Sequence, residues 1–465
     1  MNTRFLAAIV GAVATSTAVA QWTLMSPATS PGTRMGAAMA TDAFGGRVVM
    51  FGGVGGTSLG TYSDETWSYD GTTWTLLSPT QRPAARLHMD MVFDSSRGVF
   101  VLYGGQSSGG GGALNETWEF NGVDWTQRFP ATNPGNLCLH AMAFDSVRNK
   151  VVLFGGYPGG FPAIDSNRTW EYDGTNWTQR FPATNPGAHE AMSMCFDSAA
   201  GRTILFGGVD ATPSAPPNLV DNDKTWSWDG TNWTELSIAG TRPPRRERAK
   251  MAFDSVRGVS VLTGGMHYSN GAAKNDTWEL FQNGAAGVWL QVVTPTVGRY
   301  SSTLAFLPAE RHLVQFGGVT GSNHWLGDTR EYGAQVATLG AGCAGTNGVP
   351  ALTALDAPRI SQSWSLGIAN MNPAFNFAII VIGFTPIPGG LDLGPALGMP
   401  GCTGWQTPDQ FYTAPTGAGG STIWSIAPVP DVLGVTFSGQ ALCYDPTVNS
   451  FGWTVSNAIA ATIGY

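Results

Sequence analysis

The sequence predicts an all-β fold in which six similar units precede a second β domain. Three landmarks recur: a Gly-Gly doublet after a β-rich run, a Thr-Trp pair, and a further Trp beyond a tight turn. The doublets begin at Gly52, Gly104, Gly155, Gly207, Gly264 and Gly317, in steps of 52, 51, 52, 57 and 53 residues. Self-similarity at a fixed period of this size is typical of repeat architectures.

Each unit is predicted to form four short antiparallel strands. In the second unit, a strand over residues 87–93 turns at 94–98 and returns over 99–103. After a longer loop, the third strand turns at Asn121-Gly122 into a fourth strand that begins at Trp125. Asn-Gly or Asp-Gly between β runs is a strong hairpin signal, because both residues tolerate positive φ. Four antiparallel strands per repeat of about 50 residues predict the blade of a β-propeller.

The repeated pattern resembles the Kelch repeat: an Arg, an apolar strand, Gly-Gly, then two Trp or Tyr positions separated by a turn. The resemblance covers residues 21–333, about two thirds of the chain. It implies a six-bladed β-propeller over residues 21–334, in which the doublet ends the second strand where a side chain would crowd the packed blades. It specifies the fold and says little about function.

The two ends of the repeat region predict how the ring closes. The sixth unit has Gly317-Gly318 but no Trp after its third strand. The missing fourth strand is found at the other end, where residues 21–24 match residues 74–77. We therefore expect the N-terminal strand to pair into the last blade, which protects strand edges that would otherwise invite aggregation.

Two further segments flank the predicted propeller. Residues 1–20 are interpreted as a secretory signal peptide, with an apolar run and a small-residue cleavage site at Ala18-Val19-Ala20. Residues 335–465 contain no Lys, no Glu and one Arg, and short apolar runs alternate there with Gly and Pro clusters. This composition predicts a C-terminal β-sandwich. The Gly-Cys motifs at Cys343 and Cys402 resemble a C-terminal β module of secreted proteins from certain environmental bacteria.

Five cysteines in a secreted chain leave at least one unpaired. Cys343 and Cys402 each follow a Gly, and we expect them to form a disulfide. Cys443 is the alternative partner. The offset between Cys138 and Cys195 in matching strands is too large for a bridge, so both are expected to be buried free thiols.

Composition excludes several classes of function. The formal net charge is −8 and the pI is near 5.2, which argues against nucleic acid and anionic membrane surfaces as partners. No later segment is long enough to span a bilayer. No nucleophile elbow, phosphate loop or zinc signature is present, so we expect no cofactor and no metal. Galactose oxidase also has Kelch blades, but its two Tyr and two His copper ligands cannot be matched here residue by residue.

Candidate ligand-binding residues fall at one register, near the start of each first strand. The six residues at this register are Arg34, Arg86, Leu137, His189, Arg246 and Arg299. Four Arg and one His around a funnel predict a site for an anion or a polar glycan. The alternative is structural, with each Arg bonding a blade carbonyl or a neighbouring acid. His267, His324 and Trp325 lie on loops after the doublets, where they are expected to stack on sugar rings.

These observations predict a secreted, extracellular or cell-surface protein, with the periplasm as a further location. We expect a Kelch propeller that binds a glycan or an extracellular protein at the loop-rich mouth of the ring. One alternative is an extracellular carbohydrate-active enzyme, such as a lyase, an epimerase or a galactose-oxidase-like oxidase. Another is a structural protein of the surface or matrix. The absence of a catalytic motif favours the non-enzymatic functions.

Overall fold

The computed structural model is all-β, and its strands form many small antiparallel sheets. It describes residues 21–55, 60–107, 112–159, 165–210, 220–255, 257–292, 297–308, 312–322 and 324–333, together with the C-terminal strands given below. The chain divides into two compact units, of which one is Trp22–Gly333 and the other contains Ala334–Tyr465. The predicted signal peptide lies outside the described residues.

Six successive sheets of the first unit share one topology, in which four strands pair in chain order. Sheet 1 contains Ala38–Asp42, Arg47–Phe51, Thr66–Tyr69 and Trp74–Leu77. Sheet 2 contains Asp90–Asp94, Val99–Tyr103, Thr117–Phe120 and Trp125–Arg128. Sheet 3 contains Ala141–Asp145, Lys150–Phe154, Thr169–Tyr172 and Trp177–Arg180.

The second three sheets repeat this order with two variations. Sheet 4 contains Ser193–Asp197, Arg202–Phe206, Thr225–Trp228 and Trp233–Glu235. Sheet 5 contains Lys250–Asp254, Val259–Thr263, Thr277–Asn283, Ala286–Val292 and an added strand, Ser237–Ala239. Sheet 6 contains Thr303–Leu307, His312–Phe316 and Thr329–Gly333, and Gln21–Met25 is its outer strand.

The predicted pairing of the N-terminal strand with the last unit is therefore observed. The first strands of the six sheets also contact one another in order, and Thr303–Leu307 of sheet 6 contacts Ala38–Asp42 of sheet 1. The six first strands thus form a closed cycle around a central space.

The added strand of sheet 5 departs from the predicted four-stranded unit. Ser237–Ala239 pairs in parallel with residues 286–288. The last hairpin of sheet 5 has strands of seven residues, whereas the fourth strands of sheets 1–4 have three or four. Its longer outer edge offers unpaired backbone groups, and the passing linker covers part of that edge.

The sequence predicted one continuous first strand over residues 87–93 in the second repeat, and this prediction is wrong. Residues 86–87 form a separate short strand, and Asp90–Asp94 begins only after His88. His88 has a φ of 56°, which is incompatible with an extended strand. The same break occurs in the other units. It produces small sheets from Arg34–Met35, Val54–Gly55 and Thr61–Tyr62, from Arg86–Leu87 and Gln106–Ser107, and from His189–Glu190, Val209–Asp210 and Val220–Asp221.

The hydrophobic core lies between neighbouring sheets. Val49 and Phe51 of sheet 1, for example, pack with Met91, Leu102 and Trp125 of sheet 2. A Trp in the fourth strand of each sheet, or in the N-terminal strand for sheet 6, also contacts the preceding sheet, where its indole N–H donates to the Thr that opens the third strand. The six pairs are Trp22–Thr277, Trp74–Thr329, Trp125–Thr66, Trp177–Thr117, Trp233–Thr169 and Trp289–Thr225.

A second contact between sheets follows a pattern that repeats every three units. Third strands of sheets 2, 3, 5 and 6 carry a Glu, and the next sheet supplies a Tyr or Trp that donates to it. These pairs are Tyr172–Glu119, Trp228–Glu171, Tyr332–Glu279 and Tyr69–Glu331. Sheets 1 and 4 carry Ser68 and Ser227 instead, and the next sheets have the apolar Phe120 and Leu280 at the facing position. At this position of the third strand, a buried acid is thus present only where the next sheet supplies a donor.

The compact unit that contains Ala334–Tyr465 has one five-stranded sheet and two smaller ones. The larger sheet runs in the order Val336–Gly340, Trp453–Thr462, Thr436–Tyr444, Phe377–Gly383 and Gln410–Pro415. The others pair Ala351–Ala354, Trp364–Ala369 and Thr422–Ile426, and Pro386–Asp392 with Thr403–Gln406. The β-sandwich stays a prediction. Within the described residues, no helix is long and apolar enough to cross a membrane.

The cysteines agree in part with expectation. Cys138 and Cys195 are buried free thiols, as the sequence predicts. Burial raises the pKa of each thiol to about 12, so neither is a reactive thiolate at neutral pH. Cys443 is also a buried free thiol, so it is not the partner in a disulfide. The predicted bridge between Cys343 and Cys402 lies outside the described residues.

Candidate functional site

A closed ring of six backbone hydrogen bonds narrows one end of the central space. Its six members stand at the same position in each unit: Gly36, His88, Leu139, Ala191, Arg248 and Ser301. Each N–H donates to the carbonyl of the preceding member, and Gly36 closes the cycle with Ser301, at distances of 2.8–3.1 Å. All six have positive φ, and only one is Gly. The left-handed conformation costs about 1 kcal/mol or more for the other residues, so the ring is maintained against local strain.

The predicted Arg residues lie beside this ring, but their side chains are buried and paired. Arg34, Arg86, Arg246 and Arg299 are at most 6% exposed. Each donates from Nη1 to the carbonyl of the first Gly of its own doublet, at 2.9–3.3 Å. Each also forms an ion pair with an acid that precedes the third strand. The pairs are Arg34–Glu65, Arg86–Glu116, Arg246–Asp276 and Arg299–Asp328, at 2.6–2.8 Å. These contacts favour the structural alternative for the four Arg residues.

The two exceptions in this register fit the same interpretation. Leu137 and His189 replace Arg in units 3 and 4, and the residues before the corresponding third strands are Arg168 and Lys224 rather than acids. His189 is buried, and its Nε2 lies 2.8 Å from the side-chain nitrogen of Asn222. The side chains of the four Arg residues and of His189 are buried. Their predicted roles in ligand binding stay predictions.

His267 is the predicted residue whose surroundings best suit a binding site. Its Nδ1 lies 3.0 Å from Oδ2 of Asp221, which comes from the loop of the neighbouring sheet 4. Asp221 is buried and also accepts two hydrogen bonds from the backbone N–H of Tyr268. The backbone N–H of Ser269 donates to the same nitrogen at 3.3 Å, and the contacts of Nδ1 with Asp221 and Ser269 together fix the orientation of the ring. The imidazole is about one third exposed.

This histidine does not belong to a Ser-His-Asp triad. Ser269 Oγ lies 3.1 Å from Nδ1 of His267, the same nitrogen that Asp221 contacts. In a triad, the carboxylate and the nucleophile contact opposite nitrogens of the ring. The Asp221–His267 pair therefore supplies an oriented hydrogen-bonding or proton-accepting group without an attached nucleophile.

Next to the Asp221–His267 pair, two carboxylates and one Arg lie at the ring of backbone hydrogen bonds. Glu190 and Glu247 immediately precede the ring residues Ala191 and Arg248, which are hydrogen-bonded to each other at 2.8 Å. Nε of Arg248 lies 3.5 Å from Oε2 of Glu247. Burial raises the pKa of Glu190 to about 7, Arg248 opposes that shift, and the charge of Glu247 adds to it. Burial likewise raises the pKa of Glu247, and Asp221 adds to that shift.

We call Glu190, Asp221, Glu247, Arg248 and His267 the mouth cluster. Arg248, Glu190 and His267 are partly exposed, whereas Asp221 and Glu247 are buried beneath them. The exposed members present donors and acceptors to solvent, and the buried acids Glu247 and Asp221 contact Arg248 and His267. A Glu with a pKa near 7 also suits proton transfer at neutral pH.

The remaining predicted residues, His324 and Trp325, lie on the corresponding loop of sheet 6. His324 is exposed and its backbone N–H donates to Thr320 Oγ1. Trp325 is half-buried, and its backbone pairs with Val319. No described contact joins either side chain to the mouth cluster, and both stay predictions for ligand contact.

Sequence reasoning missed most of the mouth cluster. Glu190 follows His189 on a short strand, where adjacent side chains point to opposite faces, and His189 contacts Asn222 whereas Glu190 interacts with the charges of Arg248 and Glu247. The missed signal was positional: Glu190 and Glu247 occupy a register that holds Met35, Leu87, Cys138 and Tyr300 in the other units. Acids in two adjacent units at an otherwise uncharged register indicate a site rather than a repeat requirement.

Within the described part of the chain, no group of three or more His, Cys, Asp or Glu residues is arranged to hold a metal ion. No protein-family model and no curated protein sequence matches this chain.

Proposed function

We propose that residues 22–333 form a six-bladed Kelch-type β-propeller and that the protein is a secreted binding module for a glycan. The proposal of a propeller is supported by the six four-stranded sheets, the closed cycle of first strands and the outer strand supplied by the N terminus. The ring of backbone hydrogen bonds narrows the central space at the mouth, and the ligand binds on the outer side of this ring.

The observation that carries the binding function is the Asp221–His267 contact at 3.0 Å. It joins the loops of two neighbouring sheets and orients an imidazole toward the mouth. Sugar hydroxyls both donate and accept, so His267, Glu190 and Arg248 together offer complementary partners. The buried Arg residues of the first-strand register stabilise the blades in this account and do not contact the ligand.

A glycan-array screen of the full chain, followed by the same screen on variants, tests this function. We expect His267→Ala and Glu190→Gln to weaken binding of a hit at least tenfold. Glu235→Gln is the matched control, because Glu235 is an exposed acid on the outer strand of sheet 4 that pairs with Lys224. An array without a hit, or a hit that both mouth variants bind as well as the wild type, would contradict the proposal.

The pKa of Glu190 favours a second candidate function, acid–base catalysis on the bound glycan. Glu190 is a proton donor near neutral pH, and the imidazole of His267, in contact with Asp221, is a second ionisable group at the mouth. An enzyme would release new reducing ends or unsaturated sugars from the array hit. Glu190→Asp and His267→Gln would then abolish turnover while retaining part of the affinity. Unchanged substrate after prolonged incubation with the wild type would exclude this candidate for that glycan.

A further inference from the structure

The central space surrounded by the first strands is a cavity of about 330 Å³ whose lining includes one acidic and one basic residue. A smaller cavity of about 40 Å³ lies at the hydrogen-bonded ring, and Lys250 and Met192 line both. The smaller cavity alone exceeds the space of a single water molecule. At its other end, the large cavity reaches the hairpin turns at Ala43, Ser95 and Ser255, on the face opposite the mouth.

The charged residues of the cavity are Asp90 of sheet 2 and Lys250 of sheet 5. Sheets 2 and 5 are three steps apart in a cycle of six, so these residues approach the cavity from opposite sides. No ion pair within 4 Å and no hydrogen bond of the Lys250 ammonium joins it to any residue that the structure describes. Asp90 accepts hydrogen bonds from the backbone N–H groups of Met91 and Met142, at 3.0 and 2.7 Å.

Two histidines at the ring end of the cavity also lack partners. His140 is 5% exposed, lines the small cavity, and neither of its ring nitrogens has a hydrogen-bond partner. Nε2 of His88, on the same cavity, is likewise unpartnered. A buried polar atom without a partner costs about 1–3 kcal/mol, so a ligand or water that satisfies these atoms is favoured.

The electrostatics keep both histidines neutral. Burial lowers the pKa of His88 and of His140 to about 3, and the charge of Lys250 acts in the same direction. Each neutral imidazole offers one donor and one acceptor. Further from the ring, the wall is apolar, with a Met at the same strand position in five of the six sheets. These residues are Met39, Met91, Met142, Met194 and Met251.

We infer that this cavity binds a free α-amino acid with an apolar side chain. The ligand carboxylate pairs with Lys250, its ammonium group pairs with Asp90, and its side chain lies along the Met-lined wall. A ligand with both charges supplies an ion partner to the Lys250 ammonium and to the Asp90 carboxylate, both half-buried, whereas a ligand with one charge leaves the other group without an ion partner. Lys250 and Asp90 do not belong to the mouth cluster, although Arg248 of that cluster lines the small cavity. The inference does not depend on the proposed glycan binding.

Isothermal titration calorimetry of the full chain with L-leucine, L-methionine and L-phenylalanine tests this inference. We expect at least one to bind with a Kd below 1 mM. The corresponding amine and carboxylic acid of that side chain, isoamylamine and 4-methylpentanoate for leucine, should bind at least tenfold more weakly. Comparable binding of either single-charge analogue, or no binding of any amino acid, would overturn the inference.

Substitutions locate the site within the chain. Lys250→Met and Asp90→Asn should each weaken binding at least tenfold, and Lys250→Arg should retain part of it. The matched controls are Lys150→Met and Asp64→Asn, because both residues are partly exposed and lie outside the cavity. Melting curves of all variants establish that they fold. Folded Lys250→Met and Asp90→Asn variants that bind like the wild type would contradict this placement.

Discussion

The indole nitrogen of Trp22 donates a hydrogen bond to the hydroxyl of Thr277 at 2.9 Å, across 255 residues of sequence. Trp74 makes the equivalent bond to Thr329 across the same separation, at 2.8 Å. Trp22 therefore links sheet 6 to the preceding sheet by the same hydrogen bond that the fourth-strand Trp makes in each other sheet. Its ring also lies 5.1 Å from the ring of Tyr332. The N-terminal strand is thus an integral part of the last sheet.

Trp22→Ala should destabilise the whole first unit because it removes this bond and an aromatic contact at the closure. We expect a loss of about 2–4 kcal/mol in the free energy of unfolding, measured in denaturant, at the lower end of the range for a large aromatic residue because Trp22 is half-buried. Leu24→Ala is the control on the same strand. Leu24 is 60% exposed, so its loss should stay below about 1 kcal/mol. Equal effects of the two substitutions would count against a structural role for the closure.

Arg86→Ala should be far more destabilising than Arg82→Ala. Arg86 is fully buried against Glu116 and the Gly104 carbonyl, so its removal leaves a cavity and takes the ion pair from a partly buried carboxylate that keeps only the hydrogen bond from Trp118 among its described contacts. We expect a loss of about 3–5 kcal/mol in the free energy of unfolding. Arg82 pairs with Asp64 at the surface, where the loss should be below about 1 kcal/mol. If Arg86→Ala left the melting temperature unchanged but abolished ligand binding, the ligand-binding interpretation of this register would be restored.

The pattern of Glu and Tyr between sheets predicts the effect of Tyr172→Phe. The substitution keeps the ring but removes the donor to Glu119, which lies in the preceding sheet. We expect a loss of about 1–2 kcal/mol, reduced by Arg97 and Arg128, which also contact Glu119. Tyr268→Phe is the control, because it removes the hydroxyl of a partly exposed side chain. The free energy of unfolding of this variant should remain within about 0.5 kcal/mol of the wild type. Indistinguishable unfolding curves for these two variants would refute the proposed matching of sheets.

The raised pKa of Glu190 predicts a stability that depends on pH. An unfolded Glu titrates near pH 4.3, so between about pH 4 and pH 7 the folded protein holds a proton that the unfolded chain releases. Stability from this group is therefore present at pH 4 and is lost as the pH rises to about 7. Glu190→Gln should melt several degrees above the wild type at pH 8 and lose that advantage at pH 4. Glu235→Gln should show no such crossover, and a pH-independent difference for Glu190→Gln would contradict the assignment.

Much of the fold could be predicted because the residues that build it are repeated. The Gly doublets, the Thr-Trp pairs and the Asp-Gly turns each fix a local backbone geometry, so their spacing predicted the strand order. The N-terminal pairing was predicted from the match between residues 21–24 and residues 74–77. Gly71, Gly122, Gly174 and Gly230 have φ of 93–99°, whereas the Asp or Asn before each of them does not have a positive φ. The break at His88 was missed because left-handed geometry in a non-Gly residue depends on hydrogen bonds to neighbouring units.

The candidate site was harder to predict because repetition obscures it. Arg at four equivalent positions suggested a ligand site, but each of these Arg residues has an acid about 30 residues later in the same unit. That covariation within the sequence marks a structural pair. Glu190 and Glu247 depart from their register, and departures from a repeat are where a specific site is expected. Asp221 and His267 come from loops of different units, so their contact depends on packing that strand spacing does not specify.

The location of the ligand at the mouth is tested most directly by hydrogen–deuterium exchange of the full chain with and without the array hit. We predict slower exchange of backbone amides around residues 189–191, 221–222, 247–248 and 266–268, the segments that carry the mouth cluster. The same amides should be unaffected by the hit in the His267→Ala variant. Protection confined to residues 336–462, with no change in these four segments, would contradict a binding site at the mouth.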